Sequence, residues 1–184
     1  DFVFDVNELK SKINSRTKMV IINSPQNPTG GVLSKKDIED IADIVKAHNC
    51  YVMADEIYSR ILYDGDHHSI ASVPGMKERT IILDGFSKTY AMTGWRAGYG
   101  VMNKGLAAMV SQLMTNSNSC TNSFVQRACI EALQGPQDCV TGMVKAFAER
   151  QACIYQRMTA IPGVTCVKPM GAFYMFPNVS RFGM

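Results

Sequence analysis

Three short apolar runs constrain the fold of this chain more than anything else: residues 19–22 (MVII), 50–54 (CYVMA) and 80–83 (TIIL), each breaking into polar residues at its carboxyl end. All three are too short for stable helices and read as buried strands. Between the first two, Ser34 stands as a helix N-cap, with Asp37 at the capping-box position as a shorter substitute for Glu. Ile38, Ile41, Ile44 and Val45 follow as one apolar stripe, and the helix is expected to end near His48 and Asn49. A shorter helix over residues 7–13, with Leu9 and Ile13 on one side, precedes the first strand. Strand, helix, strand in this rhythm predicts parallel pairing with right-handed crossovers, hence an α/β fold with a mostly parallel sheet flanked by helices.

Further along, Tyr99, Val101 and Met102 suggest a fourth strand that pairs differently from the others. Residues 104–114 and 124–133 read as helices separated by a loop rich in Asn, Ser and Thr, and Pro136 then breaks the chain. A long helical pattern over 138–158 has the reach to join two domains. Residues 163–168 and 172–176 alternate like strands of a second, unfinished unit. The expected organisation is therefore most of one α/β domain over residues 1–145, then a linking helix and the start of a small α+β domain over 146–184. Because the chain opens on Asp1 and closes soon after residues 171–178 (GAFYMFPN), it is expected to be an internal part of a longer protein.

With 46% hydrophobic and 19% charged residues, the 184-residue chain has enough apolar material for a core. A net charge of +3 with no run of like charges beyond two gives no electrostatic footprint for nucleic acid or an anionic membrane. No apolar stretch approaches the roughly 20 residues of a membrane-spanning helix, so a cytoplasmic protein is expected. Cys50, Cys120, Cys129, Cys139, Cys153 and Cys166 form no C-x-x-C pair and are expected to be reduced thiols, with no metal site.

The chemistry collects after the strands, in residues 23–30 (NSPQNPTG), 55–58 (DEIY) and 85–96 (GFSKTYAMTGWR). In an open α/β sheet the carboxyl edge of the strands is where ligands bind. Taken singly, Lys88 and Arg96 are ordinary surface charges, Asn27 before Pro28 is a turn former open to a cis bond, and Ile57 is core.

Taken together, N-P-x-G at 27–30, D-x-x-Y at 55–58 and S-K-x-x-x-x-x-x-x-R at 87–96 resemble the class I and II aminotransferases, fold-type I pyridoxal phosphate enzymes. The resemblance covers about residues 20–100, and G-A-F-Y at 171–174 extends it. It implies the large cofactor-binding domain of that fold with the beginning of the small one, and an enzyme moving an amino group between an amino acid and a 2-oxo acid. Lys88 would join the cofactor aldehyde as an imine. A primary amine attacks an aldehyde only when neutral, and the same amine, once released, would serve as general base and acid. Asp55 would hold the proton on the pyridine nitrogen, while Glu56, on the opposite side of the strand, would be a structural acid. Asn27 and Tyr58 would donate to the phenolic oxygen of the cofactor, and Ser87 with Arg96, a planar fork, would take the phosphate.

Thr89, Tyr90 and Thr93 are expected to order the loop, Trp95 to pack behind it, and Phe173 to be packing. Gly85 departs from many relatives, which carry a phosphate-binding serine there. Substrate-choosing groups, including the arginine that grips the α-carboxylate, would lie outside this chain, so the stretch alone is expected to bind cofactor poorly. The resemblance also implies a homodimer at full length. The M-T-G-W-R-x-G-Y stretch at 92–99 looks aspartate-type. Other chemistries of the same cofactor remain open: a C–S β-lyase, an aminocyclopropane-type synthase, a decarboxylase, or the aminotransferase-like effector domain of a transcription regulator.

Overall fold

The computed structural model describes residues 2 and 4–183. Asp5 caps α1 (Val6–Lys12), its carboxylate accepting from the N–H groups of Asn7 and Glu8. α2 (Lys35–His48) opens with the predicted capping box, in which Ser34 and Asp37 each accept from the other's backbone N–H. It closes on Asn49 in the left-handed region, a conformation Asn tolerates better than most residues. Ile38, Ile41, Ala42, Ile44 and Val45 are its buried stripe.

That stripe packs on a four-stranded sheet of order β1 (Met19–Asn23), β2 (Tyr51–Asp55), β3 (Thr80–Gly85) and β4 (Gly98–Val101). β1, β2 and β3 are parallel, with Asn23 opposite Asp55 and Asp55 opposite Leu83. Their carboxyl ends therefore share one edge. β4 is antiparallel to β3, as the sequence suggests, and Gly85 faces Gly98. Because β4 runs the other way, its start lies at that edge, and Arg96 just ahead of it returns there.

Val52 and Ala54 from β2 join Ile38, Ile41 and Val45 in the core, with Ile70 and Met76 closing it. Each such side chain contributes about 1.5–3 kcal/mol when fully buried. The strands are not buried on both sides. Side chains alternate along a strand, so Val20 and Ile22 pack towards the core while Ile21 stays 70% exposed, with Tyr51, Leu83 and Val101 also exposed.

α3 (Lys104–Asn118) runs past its predicted end and buries none of its residues. α4 (Ser123–Gln134) buries Val125 and Cys129 against Phe86. α5 (Asp138–Thr159) contacts β5 (Thr165–Cys166), which pairs antiparallel with β6 (Pro177–Asn178). The strand expected over 172–176 does not form. Ala172 sits at φ 56°, and its N–H donates to Ile61 O (2.9 Å), while Met170 and Gly171 both donate to Gly30 O (2.9 and 3.1 Å). A left-handed residue breaks the two-residue alternation, and these backbone donors are tied sideways to two loops. Among the described residues only an isolated bridge, Leu62 with Gly171, remains there. The six cysteines are free thiols, and among the described residues no helix is long and apolar enough to cross a membrane.

Candidate active site

Beyond Asn23, Asp55 and Gly85 the three polar clusters face one another across the sheet edge. Asn23 fastens the first two: its amide donates to Asp55 O (3.1 Å) and its Oδ1 accepts from Asn27 N (2.8 Å). The Ser24–Pro25 and Asn27–Pro28 bonds are cis. Asn27 itself is exposed.

Asp55 is half-buried, and its carboxylate accepts one hydrogen bond, from Ile57 N to Oδ1 (3.2 Å). Oδ2 is left with no protein donor among the described residues. Glu56 turns the other way. Its N–H donates to Leu83 O (2.9 Å), and its carboxylate accepts from Ser69 Oγ (2.6 Å). His67 Nε2 lies 3.1 Å from Glu56 Oε2 without the alignment of a hydrogen bond. Glu56 thus straps the 67–69 loop to the end of β2. Ile57 packs against Tyr58, Ile61 and Ala172.

Tyr58 is 3% exposed and lies edge-on to both Phe173 and Tyr174, with centroids 5.3 and 5.6 Å away. Its hydroxyl is 2.5 Å from the Tyr174 hydroxyl. Burial first, with the Asp55 carboxylate adding to it, pushes the Tyr58 phenol well above its ordinary value of 10.0. At neutral pH it is a protonated donor. Lys88 Nζ stands 5.9 Å from the Tyr58 ring centroid and 5.8 Å from that of Phe173, within cation–π range of both. No hydrogen bond or ion pair holds that amine among the described residues.

The loop carrying Lys88 is built on Phe86, which packs with Tyr90, Met92, Val125 and Cys129. Thr89 is buried, and Tyr90 OH accepts from Arg60 Nη1 and donates to Gln137 Oε1 (both 3.2 Å). Trp95, expected to pack behind the loop, is 46% exposed. Arg96 is also exposed. It adopts φ 53°, ψ 46°, and Nη1 donates to Thr93 O (2.8 Å), its other donors having no partner among the described residues. Ser87 is half-buried, and among the described residues its side chain makes no hydrogen bond.

Lys88, Tyr58 and Asp55 therefore form one cluster. Asn27, Ser87 and Arg96 share its edge, but no hydrogen bond or ion pair joins them to it among the described residues. Sequence reasoning assigned no role to Tyr174 and gave Phe173 only packing. Phe173 does pack, at 5.4 Å from Phe147, yet it also faces the lysine. The G-A-F-Y motif was the available signal, and its proximity to Lys88 depends on the loop anchors at Gly30 and Ile61.

The family model for aminotransferase class I and II matches residues 1–182. The aspartate aminotransferase of Bacillus sp. (strain YM-2) is 46% identical over 95% of this chain and 45% of its own length. The asparagine–oxo-acid transaminase of Streptococcus mutans is 40% identical over 98% of this chain and 46% of its own. Among solved structures, the aromatic aminotransferase of Pyrococcus horikoshii OT3 superposes with a TM-score of 0.96 at 41% identity, over all of this chain and 50% of that one. The chain spans about half the length of these relatives.

Proposed function

The chain belongs to the class I and II aminotransferase family, and from that premise we propose that its sheet edge is the pyridoxal phosphate centre of an enzyme moving an amino group between an amino acid and a 2-oxo acid. One observation carries the reading: the unpaired Lys88 amine faces Tyr58 and Phe173 beside the end of β2, where Asp55 stands. The residues present fit the cofactor. Asp55 has a free carboxylate oxygen, Tyr58 a protonated phenol, Ser87 an unengaged hydroxyl and Arg96 spare guanidinium donors.

Bound there, pyridoxal phosphate supplies an electron-accepting ring for the pair left when a proton leaves the substrate α-carbon. Lys88 would hold the cofactor through Nζ and, when free, would take and return that proton at the same atom. Asp55 would keep a proton on the ring nitrogen. Asn27 and Tyr58 would donate to the ring oxygen, and Ser87 with Arg96 would hold the phosphate.

In this reading residues 1–145 belong to the cofactor-binding domain and 146–184 to a linking helix and the start of a smaller one. The complete enzyme works as a cytoplasmic homodimer. Aspartate-type preference is supported by the relative with 46% identity, named an aspartate aminotransferase. The test is a panel of amino acids with 2-oxoglutarate, using a protein of the relatives' length that carries this chain. Glutamate and the matching 2-oxo acid in equal amounts, fastest with aspartate, are expected. Loss of a side chain or carboxyl group without glutamate would refute the transfer.

A further inference from the structure

We propose that Tyr174 is a positioning residue that works through Tyr58, donating its hydroxyl proton to Tyr58 Oη so that Tyr58's own proton is aimed at the cofactor ring oxygen. The inference rests on the function proposed above.

A phenol has one proton to give and can still accept. The hydroxyls of Tyr58 and Tyr174 are 2.5 Å apart, so one donates to the other. Were Tyr58 the donor, its only proton would be spent on Tyr174 and none would remain for the ring oxygen. With Tyr174 as donor, both demands are met, because Tyr174 has no other side-chain hydrogen bond among the described residues. A donor behind Tyr58 also polarises its O–H and strengthens the bond that Tyr58 makes in turn.

The position of Tyr174 is fixed from the backbone. Gln151, 9% exposed, donates from Nε2 to Pro169 O (2.9 Å), Met170 and Gly171 donate to Gly30 O, and Ala172 donates to Ile61 O. Gly171 allows the close fit, since a Cβ there would lie 2.8 Å from Pro25 Cβ. Residues 169–174 are thereby pinned to the loops that carry Asn27 and Tyr58. The other charged groups facing Tyr58 are the Asp55 carboxylate and the Lys88 amine. Neither can replace a neutral donor at Tyr58 Oη: the carboxylate only accepts, and the amine stands over the ring face.

The test uses the cofactor-loaded protein of full length and follows the pH midpoint at which the absorption band of the bound cofactor shifts. A ring oxygen with a weaker hydrogen bond retains more negative charge and holds the neighbouring nitrogen proton to higher pH. Tyr174→Phe keeps the ring and should raise the midpoint by about one unit, the effect of one hydrogen bond of ordinary net strength. Tyr58→Phe should raise it at least as far, and the double variant should match Tyr58→Phe alone. Fluorotyrosine at 174, a stronger donor of nearly the same size, should lower it, a direction that loss of packing cannot mimic.

An unmoved midpoint in Tyr174→Phe with a raised one in Tyr58→Phe would overturn the proposal and leave the site reading intact. Additive effects in the double variant would also overturn it. If neither variant moves the midpoint, both this proposal and the role given to Tyr58 fail.

Discussion

Gly85 faces Gly98 across the β3–β4 pair, and a Cβ on Gly85 would lie 2.9 Å from Gly98 Cα and 3.1 Å from Ala97 O. Both obstacles are backbone and cannot swing aside. The absence of a phosphate-binding serine at this position is thus a packing requirement of this sheet. Gly85→Ser is expected to destabilise the protein by about 1–3 kcal/mol, the range for overpacking, without tightening cofactor binding. Urea denaturation of the apo protein and a cofactor titration check the two halves separately.

Arg96 separates stability from function. Its left-handed backbone costs an L-residue roughly 1–2 kcal/mol that glycine does not pay, partly offset here by the hydrogen bond to Thr93 O. Arg96→Gly should leave the unfolding free energy within about 1 kcal/mol of the parent. Loss of charge-assisted bonds to a phosphate dianion should weaken cofactor binding by roughly 10- to 100-fold. Parallel melting and binding measurements would show the split; a fold that collapses while the remaining protein binds normally would contradict it.

Asp84 gives a pH dependence. Its carboxyl accepts from Gly85 N (2.6 Å) and Tyr99 OH (3.1 Å), but burial outweighs both and raises it above its ordinary value of 3.8. A raised folded value means that this group's contribution to stability is fully present below pH 3.8 and is lost as pH rises through the shifted value. Asp84→Asn does not titrate and escapes that loss. The urea midpoint of the variant should therefore gain on the parent between pH 4 and pH 7, and a gap that narrows over this interval would be inconsistent with the burial argument.

Much of this architecture can be read along the chain because local rules and tertiary packing agree. Ser34 and Asp37 form the box their spacing predicts, and the apolar runs end where the polar clusters begin. One expectation fails for a non-local reason. Residues 172–176 alternate as a strand does, but Ala172 takes a left-handed conformation to reach Ile61, a constraint set 111 positions away in the sequence. Periodicity does not report that competition. The motifs end at one sheet edge, as the sequence implies, whereas the Tyr58–Tyr174 contact depends on two loops closing on a third segment.

The central claim is that Lys88 carries the cofactor. Borohydride reduction of the cofactor-loaded protein at full length, followed by peptide mass analysis, tests it most directly. The pyridoxyl mass should fall on the peptide containing Lys88 and vanish in Lys88→Ala; a label on another lysine, or one that survives the substitution, would contradict the account.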